Sequence, residues 1–528
     1  MISLLDYGAG NVRSLRNAIQ TLGFSLTEIT RPEDILAAER LVFPGVGSFG
    51  AAMERLHQLG YVEPLRAYLA AGRPYLGICI GLQTLFEASD ESPEMPGLGV
   101  IPGRVRRFEP GALAVPHMGW NDVRVERPSP LFDGYAGEKL YFVHSYYAEP
   151  AVANRDWHLA RTDYGRPFLS AVGRGAIAAV QFHPEKSGAA GLRLLQRFLA
   201  GETATSKVAI STETTPTQVA KRIIACLDVR ANDAGDLVVT KGDQYDVREA
   251  GEVRNLGKPV ELAQRYYEEG ADEITFLNIT AFRDFPLADQ PMLEVLKRTS
   301  ERVFVPLTIG GGIRAFRDTD GTDYSALDVA HAYFRSGADK ISIGSDAVEA
   351  VERYLATGRR DGGTAIEQIA RVYGNQAVVI SIDPRRVYVQ DPSLTRHQCV
   401  ETTTPGPNGE RYCWFQCTVK GGREGRDVDA IELARACETL GAGEILLNSI
   451  DRDGTRAGFD LELIRAVRGA VGIPVIASSG AGCVEHFAEV FAETDVEAAL
   501  AAGIFHRREV PIGAVKSYLL SRGIEIRI

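Results

Sequence analysis

The sequence predicts an α/β protein in which an N-terminal open, doubly wound domain is joined to a C-terminal (β/α)8 barrel. Three observations predict this class. Over residues 1–202, short apolar runs alternate with helix-like segments, which is typical of a mostly parallel sheet. Residues 203–219 are rich in Ser, Thr and Glu and lack apolar periodicity, as expected of a linker. Residues 220–528 contain eight further apolar runs with helical spacers, which is the pattern of a barrel.

Length and composition exclude several classes of protein. A chain of 528 residues is too long for one hydrophobic core, and its formal net charge of −11 argues against a nucleic-acid partner. Its seven scattered cysteines suit a reducing compartment better than a disulfide scaffold. The first residues read directly into a strand and no long uncharged apolar run follows, so we expect no targeting segment, no membrane partner and a cytoplasmic protein. No cofactor is expected. The oligomeric state is left open, with a monomer as one option.

The first candidate catalytic residue is Cys79, in the run Gly77-Ile78-Cys79-Ile80-Gly81. A strand-like segment precedes this run and a helix-like segment follows it. A reactive side chain on a sharp strand-to-helix turn needs small neighbours, which the two glycines supply. A helix N-terminus also lowers the pKa of a thiol. The alternative is a buried structural cysteine in a glycine-flanked turn.

A glycine-rich loop is expected close to Cys79. The apolar strand Arg40–Phe43 ends in this loop, and ligands of open parallel sheets bind at the carboxyl ends of strands. Gly45, Val46 and Gly47 can therefore turn a backbone N–H toward an oxyanion formed at the cysteine. A plain tight turn explains the loop equally well.

The run Val180–Glu185 carries a histidine and a carboxylate two residues apart. Pro184 keeps His183 out of the helical region, and residues two apart in an extended chain face the same side. His183 and Glu185 are thus presented together, as in a triad whose carboxylate orients a histidine that activates a thiol. A surface pair is the alternative.

These motifs together resemble the class I glutamine amidotransferases. The motifs are Pro44-Gly45-Val46-Gly47, Gly77-Ile78-Cys79-Ile80-Gly81 and His183-Pro184-Glu185. The runs at residues 6–11 and 116–121 are similar to the glutaminase subunit of the imidazole glycerol phosphate synthase family. The resemblance implies glutamine hydrolysis through a thioester on Cys79, with His183 as base and Glu185 orienting it. It also implies glutamine contacts from Gly47 and Gln83.

The second part of the chain reads as a duplicated half-barrel. Its first apolar run, Ile223–Asp228, ends in a carboxylate. Similar runs follow at Ile274–Ile279, Val303–Ile309, Lys340–Ile343, Ala377–Asp383, Ile445–Ile450, Val475–Ala477 and Ala498–Ala501. Later motifs repeat earlier ones in order: Phe276–Ile279 resembles Leu446–Ser449, and Gly310–Ile313 pairs with Ser479–Gly482.

Small residues after the barrel strands predict two phosphate sites. In such barrels a phosphate commonly sits on backbone N–H groups of the loops after strands 7 and 8. The duplication predicts a second cradle on the opposite side of the mouth, which suits a ligand with a phosphate at each end. The predicted cradles are Gly312, Gly344 and Ser345 in the first half, and Gly480, Ala502 and Gly503 in the second. The alternative is that the glycines only shape tight turns.

Two carboxylates lie between these cradles. Asp228 ends the first strand and Asp453 follows the sixth, so they are half-barrel counterparts that face each other across the mouth. Paired acids of this kind suit general acid and general base roles. Asp383 and Asp451 are either helpers or plain turn acids, and the turn reading is favoured for Asp451.

The barrel resembles the cyclase subunit of the same family. The matching runs are Lys221–Val229, Gly310–Ile313, Ser449–Thr455 and Leu500–His506. Both subunits in one chain resemble the fused enzyme of fungi and plants. The resemblance implies that ammonia attacks a bisphosphate, phosphoribulosyl-formimino-aminoimidazole-carboxamide ribonucleotide, giving imidazole glycerol phosphate and aminoimidazole carboxamide ribotide. It assigns the acid–base pair to Asp228 and Asp453 and a substrate-covering loop to Lys241. Asn278 and Gly344 depart from residues common in bacterial cyclases.

Charged residues that begin barrel strands predict a link between the domains. They are Arg222, Glu273, Lys340 and Glu444, at the end of the barrel away from the phosphates. From the sequence alone such charges plug or solubilise the barrel end, whereas the resemblance implies a gate for ammonia. Trp120 and a pair between Lys186 and Asp339 are expected at the domain interface.

A long segment at residues 385–426 follows the fifth barrel strand. It contains His397, Cys399, Cys413 and Cys417, but their spacing is not that of a zinc site. We expect no metal and a loop that covers the mouth.

The sequence therefore predicts a bifunctional glutaminase and cyclase with an intramolecular interface. A different amidotransferase acting on another sugar phosphate is one alternative. A non-catalytic glutaminase-like domain that regulates the barrel is another, although the intact triad argues against it. Because uncoupled hydrolysis wastes ammonia, we expect Cys79 to be poorly active until the barrel is filled, with a peptide flip in Gly45–Gly47 as the switch.

Overall fold

A computed structural model describes most of the chain. The described residues are 1–109, 111, 113–201, 216–232, 237–240, 248–249, 252–253, 255–279, 287, 291–318 and 321–528. Within these ranges, none of the helices combines the length and the apolar character needed to cross a bilayer. Lys241 and residues 203–215 of the predicted linker lie outside the described residues. The predicted domain boundaries therefore stay a prediction.

The N-terminal domain is built on an open sheet with helices on both faces. Its strands are β1 (Ile2–Leu4), β2 (Leu26–Glu28), β3 (Arg40–Phe43), β4 (Tyr75–Ile78), β5 (Phe86–Ser89), β6 (Ile101–Arg107), β7 (His117–Asn121), β8 (Arg124–Val125), β9 (Leu140–His144), β10 (Tyr146–Ala148), β11 (His158–Asp163), β12 (Pro167–Arg174) and β13 (Ile177–Val180). Its helices are α1 (Val12–Thr21), α2 (Pro32–Ala37), α3 (Phe49–Gln58), α4 (Val62–Ala70), α5 (Ile80–Gln83) and α6 (Gly188–Ala200). Short 3-10 turns lie at Pro130–Phe132, Val152–Trp157 and Pro184–Lys186.

The main sheet has the strand order β2-β1-β3-β4-β13-β12-β11-β8. The first five strands in that order run parallel, and β12, β11 and β8 continue antiparallel. Alternate side chains of β3 pack on opposite faces, with Val42 on one side and Leu41 and Phe43 on the other. Burial on both faces explains why these strands read as continuous apolar runs. The parallel order brings the carboxyl ends of β3, β4 and β13 to one edge.

The second domain is a closed barrel, as the sequence predicts. Its strands are β14 (Arg222–Ala231), β15 (Leu237–Thr240), β16 (Arg248–Glu249), β17 (Glu252–Val253), β18 (Glu273–Asn278), β19 (Leu307–Gly310), β20 (Phe316–Arg317), β21 (Asp323–Tyr324), β22 (Lys340–Ile343), β23 (Val378–Ile382), β24 (Pro384–Val389), β25 (Val400–Glu401), β26 (Tyr412–Val419), β27 (Glu424–Asp429), β28 (Glu444–Asn448), β29 (Val475–Ser478) and β30 (Ala498–Ala501). In the described chain, eight parallel strands follow the order β14-β18-β19-β22-β23-β28-β29-β30, and β14 pairs with β30 to close the sheet.

Helices surround this barrel. They are α7 (Pro259–Glu268), α8 (Pro291–Thr299), α9 (Ala326–Ser336), α10 (Ser345–Thr357), α11 (Ala365–Tyr373), α12 (Ala430–Leu440), α13 (Leu461–Arg468), α14 (Val484–Thr494), α15 (Gly503–His506) and α16 (Ile512–Ser521), with 3-10 turns at Asn375–Ala377, Pro392–Leu394 and Ile450–Arg452. Local signals start several of them: Ser325 and Thr364 form capping boxes, and Asp429 accepts two N–H groups of α12. A separate apolar cluster that includes Ile224, Val379 and Ile476 fills the barrel interior.

Two expectations about the barrel need correction. The run Val303–Ile309 is a strand only from Leu307. Pro306 has no N–H to give to a ladder, and the Phe304 carbonyl instead accepts the Gly188 N–H of the first domain at 3.0 Å.

The segment at residues 385–426 is also more regular than the expected covering loop. It builds an antiparallel sheet from β24, β26 and β25, with β27 paired to β26. Only the hairpin tip around Lys420 and Arg423 reaches the barrel mouth. The covering role is thus confined to that tip, since the rest of the segment packs on its own strands, on α10, on α12 and on the turn Ile450–Arg452.

Candidate active sites

Cys79 lies at a sharp turn between β4 and α5. Its φ of 53° places a non-glycine residue in the left-handed region. Its N–H donates to the Val180 carbonyl at 2.8 Å. A Cβ on Gly77 would lie 2.4 Å from the Gly81 carbonyl oxygen, and one on Gly81 would lie 2.1 Å from the Phe43 carbonyl oxygen. Close backbone packing around the cysteine therefore requires both glycines of the motif.

His183 and Glu185 form a buried pair beside this turn. His183 Nδ1–H donates to Glu185 Oε1 at 2.8 Å, which leaves Nε2 available for proton exchange with the thiol. Burial by itself lowers the pKa of His183, but the Glu185 carboxylate and the Cys79 thiolate raise that pKa well above its usual value. An imidazolium next to a thiol stabilises the thiolate, which is the nucleophilic form.

The backbone that carries this pair differs from the expectation. The extended segment predicted through Glu185 is wrong, because Pro184–Lys186 is a 3-10 turn. The turn is closed by the Lys186 N–H, which donates to the His183 carbonyl at 3.0 Å. Ser187 Oγ donates to the same carbonyl at 2.6 Å. The two side chains meet because the chain folds back, and only His183 itself is extended.

Gln181 is a site residue that the motifs do not reveal. Its Nε2 donates to Cys79 Sγ at 3.4 Å, and its Oε1 accepts from Gln83 Nε2 at 3.1 Å. Gln83 Nε2 also donates to the Tyr146 carbonyl at 3.0 Å. Gln83 thus supports the environment of the thiol, and its contact with glutamine stays a prediction. Its position in the sequence could have revealed Gln181, since it stands two residues before His183 and directly after β13.

The loop Gly45–Gly47 lies against the barrel. Ser48 Oγ donates to the Arg371 carbonyl at 3.1 Å. A Cβ on Gly47 would lie 3.1 Å from the Val372 carbonyl oxygen, and its φ is +146°. The loop expected to form the oxyanion hole therefore sits in the domain interface, in contact with α11.

Glu91 is a second residue that the motifs miss. Its Oε2 accepts the Phe49 N–H at 2.6 Å, just beyond the glycine loop. Burial raises the pKa of Glu91 to about 7, although the Phe49 hydrogen bond lowers it. Burial, followed by the Glu91 carboxylate, raises the pKa of the nearby Tyr146 phenol.

One cavity of about 400 Å³ occupies the mouth of the barrel. It brings together both predicted acids and both predicted cradles. The residues are Asp228, Asp453, Gly312, Gly344, Ser345, Gly480, Ala502 and Gly503. Asn278 lines the same cavity. The half-barrel counterparts inferred from the repeat thus share a single space.

Cationic residues also line this cavity. They are Arg230, Arg314, Lys420, Arg423, Arg456 and Arg507. A phosphate carries about −1.5 to −2 charges at neutral pH, so these groups suit a doubly phosphorylated ligand. Arg314 and Arg507 closely follow the glycine motifs in sequence, which is a signal that could have identified them.

The two further acids of the sequence behave differently. Asp383 accepts from Asn448 Nδ2 at 2.6 Å and lines the cavity. Burial raises its pKa, the Asn448 hydrogen bond lowers it, and the Asp453 charge raises it further. Asp451 instead accepts the Arg386 N–H at 2.8 Å, which agrees with the turn-acid reading.

Four buried charges close the opposite end of the barrel. They are Arg222, Glu273, Lys340 and Glu444, and each begins its strand. Arg222 Nη1 lies 2.9 Å from Glu273 Oε2, and Arg222 also pairs with Glu444. Lys340 Nζ lies 2.7 Å from Glu273 and 2.6 Å from Glu444. Lys340 Nζ also lies 3.6 Å from Met118 Sδ in β7, so the ring touches the first domain.

Known families match the two halves separately. Residues 3–201 match the family described as glutamine amidotransferase class-I, and residues 222–511 match the family described as histidine biosynthesis protein. The chloroplastic imidazole glycerol phosphate synthase hisHF of Arabidopsis thaliana is 58% identical over 532 residues, covering 100% of this chain and 90% of the relative. The hisHF synthase of Schizosaccharomyces pombe is 55% identical over 539 residues, covering 100% of both. The chain belongs to the imidazole glycerol phosphate synthase family.

The barrel alone matches single-domain members of this family. The synthase subunit HisF of Methanopyrus kandleri is 44% identical over 309 residues, covering 58% of this chain and 98% of that subunit. The predicted fold class, the class of enzyme and the assignment to histidine biosynthesis are therefore confirmed. The roles of the individual site residues stay predictions.

Specific polar contacts join the two domains of this fused synthase. Lys186 Nζ lies 2.7 Å from Asp339 Oδ2, and Trp120 Nε1 donates to the Asp272 carbonyl at 3.2 Å. Asn11 Nδ2 donates to Asp339 Oδ1 at 2.8 Å. These contacts place all three predicted interface residues between the domains.

His397, in the segment at residues 385–426, has hydrogen-bond and ring partners within the protein. Among the described residues, the one group whose ligand atoms could share a metal ion is His397, Asp429 and Glu432, without any cysteine of the segment. His397 Nε2 bonds Asp427 at 2.8 Å and its ring stacks on Trp414 at 3.8 Å. Because Asp429 already caps α12, these contacts account for the cluster structurally.

Proposed function

We propose that the first domain hydrolyses glutamine through a thioester on Cys79 and that the ammonia reacts in the barrel. The Cys79 thiolate attacks the side-chain amide, and His183 gives its proton to the leaving ammonia. Water then cleaves the thioester with His183 as base, releasing glutamate. Glu185 orients the imidazole throughout. Cys79, His183 and Glu185 lie together in the structure, which supports this assignment.

Recognition of glutamine rests on groups around this centre. The carboxylate of Glu91 lies near the loop and suits the α-ammonium of glutamine. Gly47 and Gln83 complete the expected contacts. The peptide N–H groups of Gly45–Gly47 are the expected oxyanion donors.

Ammonia passes through the charged ring into the barrel. The observation that carries this proposal is the direct contact of Lys340 with Met118 of the first domain. Beyond the ring, the apolar side chains of Ile224, Val379 and Ile476 line the interior. An apolar interior favours neutral ammonia over ammonium, because burying an unpaired charge is costly.

The barrel then converts phosphoribulosyl-formimino-aminoimidazole-carboxamide ribonucleotide to imidazole glycerol phosphate and aminoimidazole carboxamide ribotide. The two cradles and the six cations of the mouth hold its two phosphates. Asp228 and Asp453 act as general acid and base in ring closure. Lys241, outside the described residues, is the proposed loop lysine over the substrate. A cytoplasmic location and a monomeric state stay predictions.

The substitution Cys79→Ala tests the division of labour. It removes the nucleophile and leaves the barrel intact, so we expect glutamine-dependent synthesis to fall more than a thousandfold. Added ammonium chloride should support synthesis within twofold of the parent rate. Product formation with each nitrogen source is the measurement, and Cys483→Ala in the barrel domain is the matched control. Loss of both activities in a folded variant contradicts separate sites.

A further inference from the structure

Tyr7 occupies the concave side of the oxyanion loop. It lies just beyond β1 and is buried, and its hydroxyl donates to the Val46 carbonyl at 3.1 Å. The hydroxyl oxygen lies 3.0 Å from the position of a Cβ on Gly45 and 3.6 Å from that of a Cβ on Gly47. The loop therefore wraps around the Tyr7 hydroxyl.

This hydrogen bond fixes the direction of one peptide plane. In a trans peptide the carbonyl and the following N–H point in opposite directions. With the Val46 carbonyl directed at Tyr7, the Gly47 N–H points away from the tyrosine. Burial, followed by the Cys79 charge, raises the pKa of Tyr7, so the hydroxyl stays a neutral donor. The Ile80 N–H, next to Cys79, donates to the Gly45 carbonyl at 3.5 Å, so the loop lies against the turn that carries the nucleophile. The side of this peptide that faces Tyr7 is thus an acceptor, whereas stabilising an oxyanion requires a donor.

Both ends of this contact are tied to the barrel. Asp6, which precedes Tyr7, receives two hydrogen bonds from Arg335 of α9, at 3.0 and 2.6 Å. Ser48, which follows the loop, donates to the Arg371 carbonyl of α11. A change in the relative position of α9 and α11 therefore acts directly on the contact between tyrosine and loop.

Space for a rearrangement lies next to the loop. A cleft of about 480 Å³ separates the two domains at this point. Its lining includes Tyr7, Gly47, Ser48, His331 and Val372. The glycine at position 47 permits backbone angles that other residues rarely adopt, so the peptide can turn without a side chain in the way.

We propose that Tyr7 is a positioning residue that latches the Val46–Gly47 peptide in its non-donating orientation, and that the Asp6–Arg335 pair connects this latch to the barrel. The inference rests on the proposed glutaminase function. When ligand fills the barrel, movement of α9 draws Tyr7 from the Val46 carbonyl, and the freed peptide turns its N–H toward the thioester oxyanion.

The isosteric substitution Tyr7→Phe tests the latch. Glutamate release is measured with and without saturating imidazole glycerol phosphate as the barrel ligand. We expect the rate without ligand to rise about fivefold, which corresponds to about 1 kcal/mol, the usual net value of one hydrogen bond. The rate with ligand should stay within twofold of the parent, so stimulation falls about fivefold. The matched control is Tyr68→Phe, which removes a 2.7 Å hydrogen bond to the Pro74 carbonyl in the same domain.

The substitution Arg335→Gln tests the connection and should give the opposite signature. Without its tether the latch no longer responds, so the unstimulated rate stays within twofold and the stimulated rate falls about fivefold. The control is Arg353→Gln, which breaks an exposed pair with Asp361. An unchanged unstimulated rate in Tyr7→Phe, or an equal loss of both rates, overturns the latch. A parent enzyme without stimulation by the ligand contradicts the proposed coupling, while the unstimulated rate of Tyr7→Phe still decides the latch.

Discussion

The two sites of this synthase are constructed in opposite ways. The glutaminase centre is compact and buried, and its nucleophile Cys79 has a positive φ that few residues other than glycine adopt. The barrel mouth is an open cavity of about 400 Å³, formed by backbone loops and cationic side chains. The glutaminase loop also contacts the other domain, whereas the mouth is lined entirely by barrel residues in the described chain. The comparison indicates that the first site depends on its neighbour and the second does not.

The largest effect is expected at the barrel. Asp453→Asn removes a proposed acid–base group while keeping its shape, so synthesis from either glutamine or ammonium should fall about a thousandfold. Unstimulated glutaminase activity should remain within twofold. Product formation and glutamate release are measured in parallel, with Asp451→Asn as control because Asp451 holds the Arg386 N–H. If synthesis from glutamine falls while synthesis from ammonium persists, the barrel site is not independent of the glutaminase site.

An intermediate effect is expected where the sites meet. Glu444→Gln leaves Arg222 and Lys340 with one carboxylate between them, and an unbalanced buried charge costs about 3 kcal/mol of unfolding free energy. We also expect less product per glutamate, because the ring no longer directs ammonia inward. Denaturant unfolding and the product-to-glutamate ratio are the measurements.

The control for this variant is Glu493→Gln, which breaks an exposed pair with Arg465. Its unfolding free energy should change by less than about 1 kcal/mol. An unchanged product-to-glutamate ratio in Glu444→Gln argues against the ring as a gate.

The smallest effect concerns pH and glutamine. The pKa of Glu91 is raised to about 7, so its carboxylate is mostly ionised at pH 8 and mostly protonated at pH 6. If the charged form binds the α-ammonium, KM for glutamine should rise about tenfold as pH falls across this range. Glu91→Gln should give a high KM that changes little with pH. Steady-state kinetics at several pH values provide the measurement, with ammonium-dependent synthesis as the internal reference.

The parts that the sequence predicted correctly depend on local patterns. Parallel strands buried on both faces appear as apolar runs, and the half-barrel repeat identified the shared cavity. The elbow glycines flank Cys79 at fixed positions because backbone atoms approach within about 2 Å of where a Cβ would be. Each of these features is determined by a short stretch of the sequence.

The parts that were missed or wrong depend on contacts between distant segments. The roles proposed for Gln181, Glu91 and the Asp6–Arg335 pair depend on contacts with residues far away in sequence. The early residues of the Val303 run follow the same rule, since the Phe304 carbonyl accepts from the distant Gly188. The 3-10 turn at Pro184 is different, because hydrogen bonds within residues 183–187 close it. Periodicity in a single segment carries no information about such partners.

The order of the domains along the chain has a consequence for synthesis on the ribosome. The barrel closes only when β30 pairs with β14, whereas the glutaminase domain is complete long before. At about 5–20 residues per second, the first domain waits tens of seconds for its partner. The Ala220 N–H donates to the Trp120 carbonyl at 2.8 Å, so the nascent barrel begins on the surface where it finally docks. A latched loop would spare the cell's glutamine during that interval.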